Sequence, residues 1–556
     1  MADMDSPLQL GAPRFGATAL ARLATGAGTA AAWRELAGSA DPLGALADVQ
    51  GSFAVGLRLP DGSVFLAIDR FAVHSLCYRL VDGQLRFAAR ADELAGADAA
   101  IDPQAIFDYL YFHVIPSPRT IFKDVLRLPP GCCALFKNGQ LTVRRYWTPR
   151  FEQREGVPFD ALKSEFRTLL KESVTAQLHG GKPACFLSGG TDSSTVAGMI
   201  GEASGQRAST YSIGFEAEGY DEMEYARIAA RHFGTDHHEY YVTPADLVRS
   251  IPQVAAHYDQ PFGNSSALPA YYCARMARED GVDKILAGDG GDELFGGNTR
   301  YARQNLLGLY DGLPSALRHG LLEPLAQQRT LQRLPLLGKL ASYVNQAKMA
   351  MPERMQASNL LETLGLQQVL MPDFLERIDA GTPRIQQRKV WAISQAPRLL
   401  DGMLAYDWRY TLAETDLPKV RGTTQLAGLD VGFPMLDDRL LEFSMRLPTD
   451  YKVRGLKLRW FFKEALRDFL PDEIITKKKQ GFGLPFGVWT TRDAALKRLA
   501  ADSLDGLVER RLLRADFSRE LLERKLAEHP SYYGEMIWIL MMLEQWLRRR
   551  APAWRC

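Results

Sequence analysis

Residues 184–200 read ACFLSGGTDSSTVAGMI: a short apolar run, a glycine pair among hydroxyls and one acid, then a helix-forming stretch. A buried strand that turns straight into a helix covers both its faces only within a βαβ unit, so the segment calls for a parallel sheet flanked by helices. Further apolar runs, STYSIGF at 209–215 and KILAG at 284–288, alternate with longer helical periods from about Ala161 onward, as that architecture requires. The loop also carries chemistry. Free backbone N–H groups at a helix start hold phosphate, and glycines let the backbone come close. Ser188, Ser193 and Ser194 add hydroxyl donors, and Asp192 offers a hard oxygen that suits Mg²⁺ better than zinc. No lysine follows the glycines, which excludes the G-x-x-x-x-G-K-[ST] loop. The glycine pair alone would read equally well as an ordinary capped turn.

About a hundred residues on, KILAG leads into Gly288-Asp289-Gly290-Gly291-Asp292-Glu293-Leu294-Phe295-Gly296-Gly297. Acids among glycines suit a tight loop at the carboxyl ends of parallel strands, where open α/β sheets bind ligands. Asp292 can complete a metal site with Asp192.

The first part of the chain is written differently. Between about 48 and 147, SFAVGLRL, SVFLAI, SLCYRL and LRFAAR are rich in β-branched and aromatic residues and are separated by Pro60-Asp61-Gly62 and Asp82-Gly83, the pattern of antiparallel hairpins. TPRFEQREGVPFD at 148–160 has little periodicity and reads as a linker, while 301–470 is mostly helical in character. The 556 residues divide most simply into a domain at 1–147, the linker, and a second domain at 161–556. Lys and Arg number 67 against 66 Asp and Glu, so no global charge points to nucleic acid or a membrane surface. Six cysteines without a C-x-x-C pair or Cys/His cluster argue against a disulfide scaffold or zinc site. The N-terminus lacks the basic start and apolar run of a secretory signal. Met536 to Leu543 falls short of the roughly 20 residues that span a bilayer and reads as a buried core helix. The cytoplasm is the expected location.

With both loops in view, the chain resembles the asparagine synthetase class B family over nearly its whole length. The strand–SGGTDSS–helix unit is similar to the pyrophosphate loop of ATP pyrophosphatases. GYDEMEYARIAARHFGTDHHEYY, YDQPFGNSSALPAYY, FPMLDDRLLEFSMRLP and KLRWFFKEALRDFLPDEIITKKKQGFGLPFGVW match the family's later motifs in order and spacing. IDRFAVHSLCYRL and DYLYFHVIPSPRTIFKDVLRLPPG resemble its glutaminase domain. The resemblance implies an N-terminal glutaminase-like αββα sandwich and a C-terminal ATP-pyrophosphatase-type parallel α/β sheet with added helices. It implies that a carboxylate attacks the α-phosphorus of Mg-ATP, releasing pyrophosphate, and that an amine then displaces AMP. Ser188, Gly189, Gly190, Asp192 and Ser193 would hold pyrophosphate, Ile213, Ala287 and Gly288 would sit near the nucleotide, and Phe186 and Leu187 would also belong to the cofactor site. Asp192 and Asp292 would hold Mg²⁺. Lys479 takes the place of the family's catalytic lysine, offsetting oxyanion charge; Lys477 and Lys478 read as solvated surface charge.

Departures from the family pattern carry the finer expectation. A glutamine-using member needs an N-terminal cysteine; here Ala2 follows Met1 and the nearest cysteine is Cys77. Ala72 replaces the glycine usual in the DRFG-type turn. The first domain is therefore expected to be a scaffold without a nucleophile, and the enzyme not to use glutamine. The family offers β-lactam synthetases, carbapenam synthetases and lasso peptide cyclases as precedents. β-Lactam formers have Tyr where this chain has Asp289, a residue suited to receiving an ammonium proton. Arg421 and Gly432 depart from K-V-D-R and E-x-R-x-P-F-L-D, which suggests a remodelled acceptor site. The expected activity is closure of a macrolactam in a leaderless core peptide, with a leader peptidase and leader-binding protein as partners and no nucleic acid, membrane or glutamine. The alternatives are a small-molecule amide or β-lactam synthetase, ammonia-dependent asparagine synthesis, and a pseudoenzyme scaffold.

Overall fold

The computed structural model describes residues 7–96, 99–178, 181–308, 310, 312–327, 335–357, 359–478 and 483–556. Beside a short ribbon of Arg14–Phe15 with Val49–Gln50, the strands of the N-terminal part are β1 (Leu8–Gly11), β2 (Phe53–Arg58), β3 (Val64–Ile68), β4 (Cys77–Val81), β5 (Gln84–Ala88), β6 (Leu126–Arg127), β7 (Cys132–Lys137) and β8 (Gln140–Arg145). They form an antiparallel five-stranded sheet in the order β1-β2-β3-β7-β8 and a three-stranded sheet in the order β5-β4-β6. Helices α1 (Thr18–Ala27) and α2 (Thr29–Gly38) close the outer face of the larger sheet, where Trp33 and Leu36 meet Phe53, Val55 and Phe65. Strand alternation sends Ala54, Leu66 and Ile68 to the other face, against Leu76, Tyr78 and Leu85 beneath the smaller sheet. Helices α3 (Ala91–Ala95) and α4 (Pro103–Phe112) cover that sheet in turn. The layering is α, β, β, α, as the resemblance implies. Asp82 and Gly83 take positive φ at the tip of the β4–β5 hairpin, the chemistry of a two-residue turn. Ala72 stands at φ 51°, where glycine would be free of the side-chain penalty.

Five strands form the C-terminal sheet: β9 (Ala184–Phe186), β10 (Ser209–Phe215), β11 (Asp236–Val242), β12 (Lys284–Leu286) and β13 (Asp430–Gly432). All pair in parallel, in the order β11-β10-β9-β12-β13. On one face lie α5 (Phe159–Gln177), α6 (Thr191–Ser204) and α7 (Met223–Phe233). Beyond them in the chain come α8 (Pro244–His257), α9 (Ala267–Glu279) and α10 (Leu417–Ala427), of which α9 packs on the opposite face, Ala274 and Ala277 against Tyr211 and Ile285. Strands β11 and β13 are absent from the sequence reading. β13 is only three residues long, and its DVG lacks the apolar alternation that marks a strand. The strand order reverses between β9 and β12, the topological switch point at which doubly wound sheets bind ligands beyond the strand ends. SGGTDSS follows β9 and GDGGDE follows β12, so the fold brings both glycine loops to that crevice. The segment between β12 and β13 is largely helical, as expected of 301–470. The last helix, α11 (Pro530–Arg550), is buried on every side from Met536 to Leu547, as its apolar run requires. No helix among the described residues is long and apolar enough to cross a membrane.

Candidate active site

Strand β9 delivers Ser188 to the crevice, and α6 begins three residues later with no side-chain cap on its first turn. Hydroxyls pin the loop from within: Ser188 and Ser193 Oγ lie 3.0 Å apart, and the Ser188 N–H donates to Ser193 Oγ at 3.2 Å. Gly189 takes φ 66°, and a Cβ there would stand 2.4 Å from the Ala226 nitrogen of α7, so only glycine lets the loop turn against that helix. The second loop approaches the first as closely. A Cβ on Gly291 would lie 2.3 Å from Asp192 Oδ1, so the Asp192 carboxylate rests on bare backbone.

Arg459 lies between the two loops. Its guanidinium donates to Asp192 Oδ1 at 2.7 Å, to Asp292 Oδ1 and to the Thr191 hydroxyl. The residue is 4% exposed; burial lowers its pKa and the neighbouring Asp192 opposes that. Two carboxylates 100 positions apart in sequence thus converge on one buried cation. The donors are hard oxygens, of the type Mg²⁺ takes, and Arg459 is the cation that lies between them in this structure.

The sequence-predicted residues divide between two cavities that meet at Ser188, Asp192, Ser193 and Glu222. Phe186, Leu187, Ser188, Asp192, Ser193, Ile213, Gly288, Asp289 and Asp292 line a cleft of about 370 Å³. Gly190 lines the adjoining cavity of about 590 Å³, whose walls include Lys457, Lys463, Arg467 and Lys478. Gly189 lines neither, being packed on α7, and Ala287 lies in the sheet with its N–H given to the Gly432 carbonyl at 2.9 Å. Lys479 falls outside the described residues.

Two sequence readings are corrected. Lys477 is no solvated surface charge: it pairs with Glu222 at 3.1 Å, lies 4.3 Å above the Tyr225 ring and reaches the Gly189 carbonyl at 3.4 Å. Arg421 and Gly432 line neither of these cavities. Gly432 belongs to β13, where a Cβ would strike Gln177 Oε1 at 2.5 Å, and α10 turns Arg421 away to a separate cavity.

What the sequence reading missed is the floor of the cleft. Lys419, on α10, stands 2.9 Å from Asp416 and 3.5 Å from Asp289. Burial opposes its charge, but the two acids outweigh burial and raise its pKa. Burial raises the Asp289 carboxyl, with Asp416 adding and Lys419 opposing. Burial, with Asp416 and Asp407, pushes Glu293 up to about 8 from 4.5. The sign is that of a buried acid held neutral: ionising Glu293 costs stability progressively from its unfolded value to its folded one. Between about pH 6 and about pH 9 the cost should grow by about 2–3 kcal/mol. Urea midpoints measured at those two pH values should therefore diverge less in Glu293→Gln than in the parent; parallel losses would assign the slope to other groups.

Comparison with known proteins decides the family. The asparagine synthase family model matches residues 165–548, and that of the glutamine amidotransferase domain matches 41–147. The chain belongs to the asparagine synthase family. Asparagine synthetase [glutamine-hydrolyzing] 1 of Bacillus subtilis strain 168 is 24% identical over 504 residues, which cover 87% of this chain and 75% of the relative. A putative asparagine synthetase [glutamine-hydrolyzing] of Mycobacterium bovis is 27% identical over 461 residues, 79% of this chain and 68% of the relative. A third, from Methanocaldococcus jannaschii, is 33% identical over 269 residues, 46% of this chain and 51% of the relative. For a member of this family, Arg459 and the Asp416–Lys419 pair were findable only in part. Arg459 stands in the KLRW of a family motif and Lys419 opens the Lys419-Val420-Arg421-Gly422 run that departs from K-V-D-R, but nothing local says that Arg459 reaches back to two loops.

Proposed function

We propose that this chain is an ATP-dependent amide ligase of the asparagine synthetase type that joins a substrate carboxylate to an amine of the same peptide, closing a macrolactam without glutamine. The observation that carries the reading is the cleft itself: two glycine loops bring Asp192, Asp289 and Asp292 into one cavity with Asp416 and Lys419. The loops' N–H groups and the Ser188 and Ser193 hydroxyls would hold the phosphates of ATP, and Asp192 and Asp292 would hold Mg²⁺. When bound, Mg²⁺ would neutralise phosphate oxygens. The substrate carboxylate oxygen bonds to the α-phosphorus and pyrophosphate leaves. The amine nitrogen then bonds to the carbonyl carbon, AMP leaves, and the amine's proton passes to Asp289, whose raised pKa fits it to accept one. Lys479 keeps the role the resemblance implies.

Glutamine independence is supported by the thiols. Burial pushes Cys77 up to about 12 and Cys133 and Cys556 up to about 11, and raises Cys132, Cys185 and Cys273 as well. Each is held as the unreactive thiol. The peptide reading is supported by the acid at Asp289 and by the second cavity opening from the nucleotide loop, which offers room beyond a nucleotide. A leader peptidase and a leader-binding protein would then act before this enzyme.

Incubation with ATP, Mg²⁺ and the cognate linear peptide should release AMP and pyrophosphate in equal amounts and lower the peptide mass by one water. ADP and phosphate as products would sink the mechanism. AMP release that depends on aspartate and ammonia, with no peptide, would replace the macrolactam by asparagine synthesis. Glutamate formed from glutamine would refute the independence.

A further inference from the structure

Where the N-terminal domain meets α10 and the end of α8, the chain encloses a cavity of about 450 Å³ that the reaction does not use. Its charged walls are mostly satisfied. Arg90 is paired with Asp92 at 2.9 Å and donates to the His257 carbonyl at 2.8 Å. Arg127 is paired with Glu414 and donates to the Ile115 carbonyl at 2.8 Å. Two groups stand apart from these pairs. The Arg421 guanidinium makes no ion pair among the described residues, and its Nε is buried without a hydrogen bond. Asp259, the other, accepts the Ala91 N–H at 2.8 Å and acts electrostatically on Arg90 without a hydrogen bond to it among the described residues. The two feel each other electrostatically but form no pair. His74 lines the same cavity, and burial and then Arg421 hold it neutral, its pKa down at about 3.

An enclosed guanidinium without a hydrogen-bonded anion is costly, and so is a partly buried carboxylate with no cation bonded to it. Nature rarely keeps both in one cavity unless something else completes them. We propose that this cavity is a second ligand site, which binds a free α-amino acid as its zwitterion, the carboxylate on Arg421 and the ammonium on Asp259. The planar fork of Arg421 suits a carboxylate, and the size falls in the range of small-molecule sites. The site is separate from the cleft, yet α10 serves both: Lys419 faces the reacting groups and Arg421 the cavity. It also rests on different residues from the proposed reaction, so either reading can fail without the other.

The test uses the full chain. The standard L-amino acids are screened singly at millimolar concentration by thermal shift, and those that stabilise are titrated by calorimetry. At least one should bind saturably without being hydrolysed. Its carboxamide and its N-acetyl derivative should each bind at least about tenfold more weakly, as should the parent amino acid to Arg421→Met. Should Arg421→Met fail to fold, Asp259→Asn replaces it, with the loss expected for the ammonium. Absence of saturable binding by every amino acid would overturn the proposal. So would binding that Arg421→Met and Asp259→Asn leave unchanged, or inorganic phosphate competing as well as the amino acid does.

Discussion

Asp192→Asn is expected to lower AMP release at saturating ATP by about a thousandfold or more. The residue has two duties that the substitution removes together. As half of the acid pair it would, on the proposed function, supply negative charge for Mg²⁺ beside the phosphates, and an amide is a poor substitute for a hard anionic ligand. As a partner of Arg459 it neutralises a buried cation, which the Asn variant leaves with Asp292 alone. The second effect carries a stability cost of about 1–3 kcal/mol, moderated because the Asn oxygen still accepts a hydrogen bond. Loss of activity through unfolding is separated by a second readout: the parent's unfolding midpoint should rise on adding ATP with Mg²⁺, and that of a folded Asp192→Asn should not. A variant that retains more than about a tenth of the parent rate would remove Asp192 from the metal site.

The crevice was legible because its grammar is local. A strand, a glycine turn and a helix start lie within 17 residues at 184–200, and each residue type has a backbone reason to be there, Gly189 at its positive φ most clearly. The second loop could be joined to the first because parallel strands leave their following loops at one end of the sheet. Other parts were decided by packing between distant segments. Arg459 follows Asp292 by 167 positions, and in sequence it is one more basic residue in KLRW. Lys477 looked like surface charge until α7 brought Glu222 and Tyr225 to it. Helix α10 gives the sharpest case. K-V-R-G suggested an acceptor site by its departures from the family, yet Lys419 and Arg421 leave a helix in different directions, and only the neighbours determine which one faces the chemistry. The departure at Arg421 altered a cavity against the first domain instead.

Arg70–Asp438 is one of the buried ion pairs that join the first domain to the second, beside Arg127–Glu414, and Asp438→Ala should destabilise the chain by about 3–5 kcal/mol. Asp438 accepts from Arg70 and from the Gly51 N–H, the latter at 2.5 Å, and the two charged side chains are 8% and 6% exposed. Removing the acid leaves Arg70 with only Glu442 at 3.9 Å, the Ala47 carbonyl at 3.3 Å and the Trp147 ring at 5.8 Å. It also orphans the Gly51 N–H. Nearby Asp69, which burial pushes up to about 7 against three backbone N–H donors, loses a repelling neighbour, a smaller compensation. The pair is a poor source of net stability, because both charges had to leave water; its worth is in fixing how the two halves meet. Arg70→Met combined with Asp438→Leu should therefore recover most of the loss, since apolar groups of similar volume replace the pair without stranding a charge. Urea denaturation of the single and double variants measures the coupling. Additive losses would mean that Arg70 and Asp438 act independently.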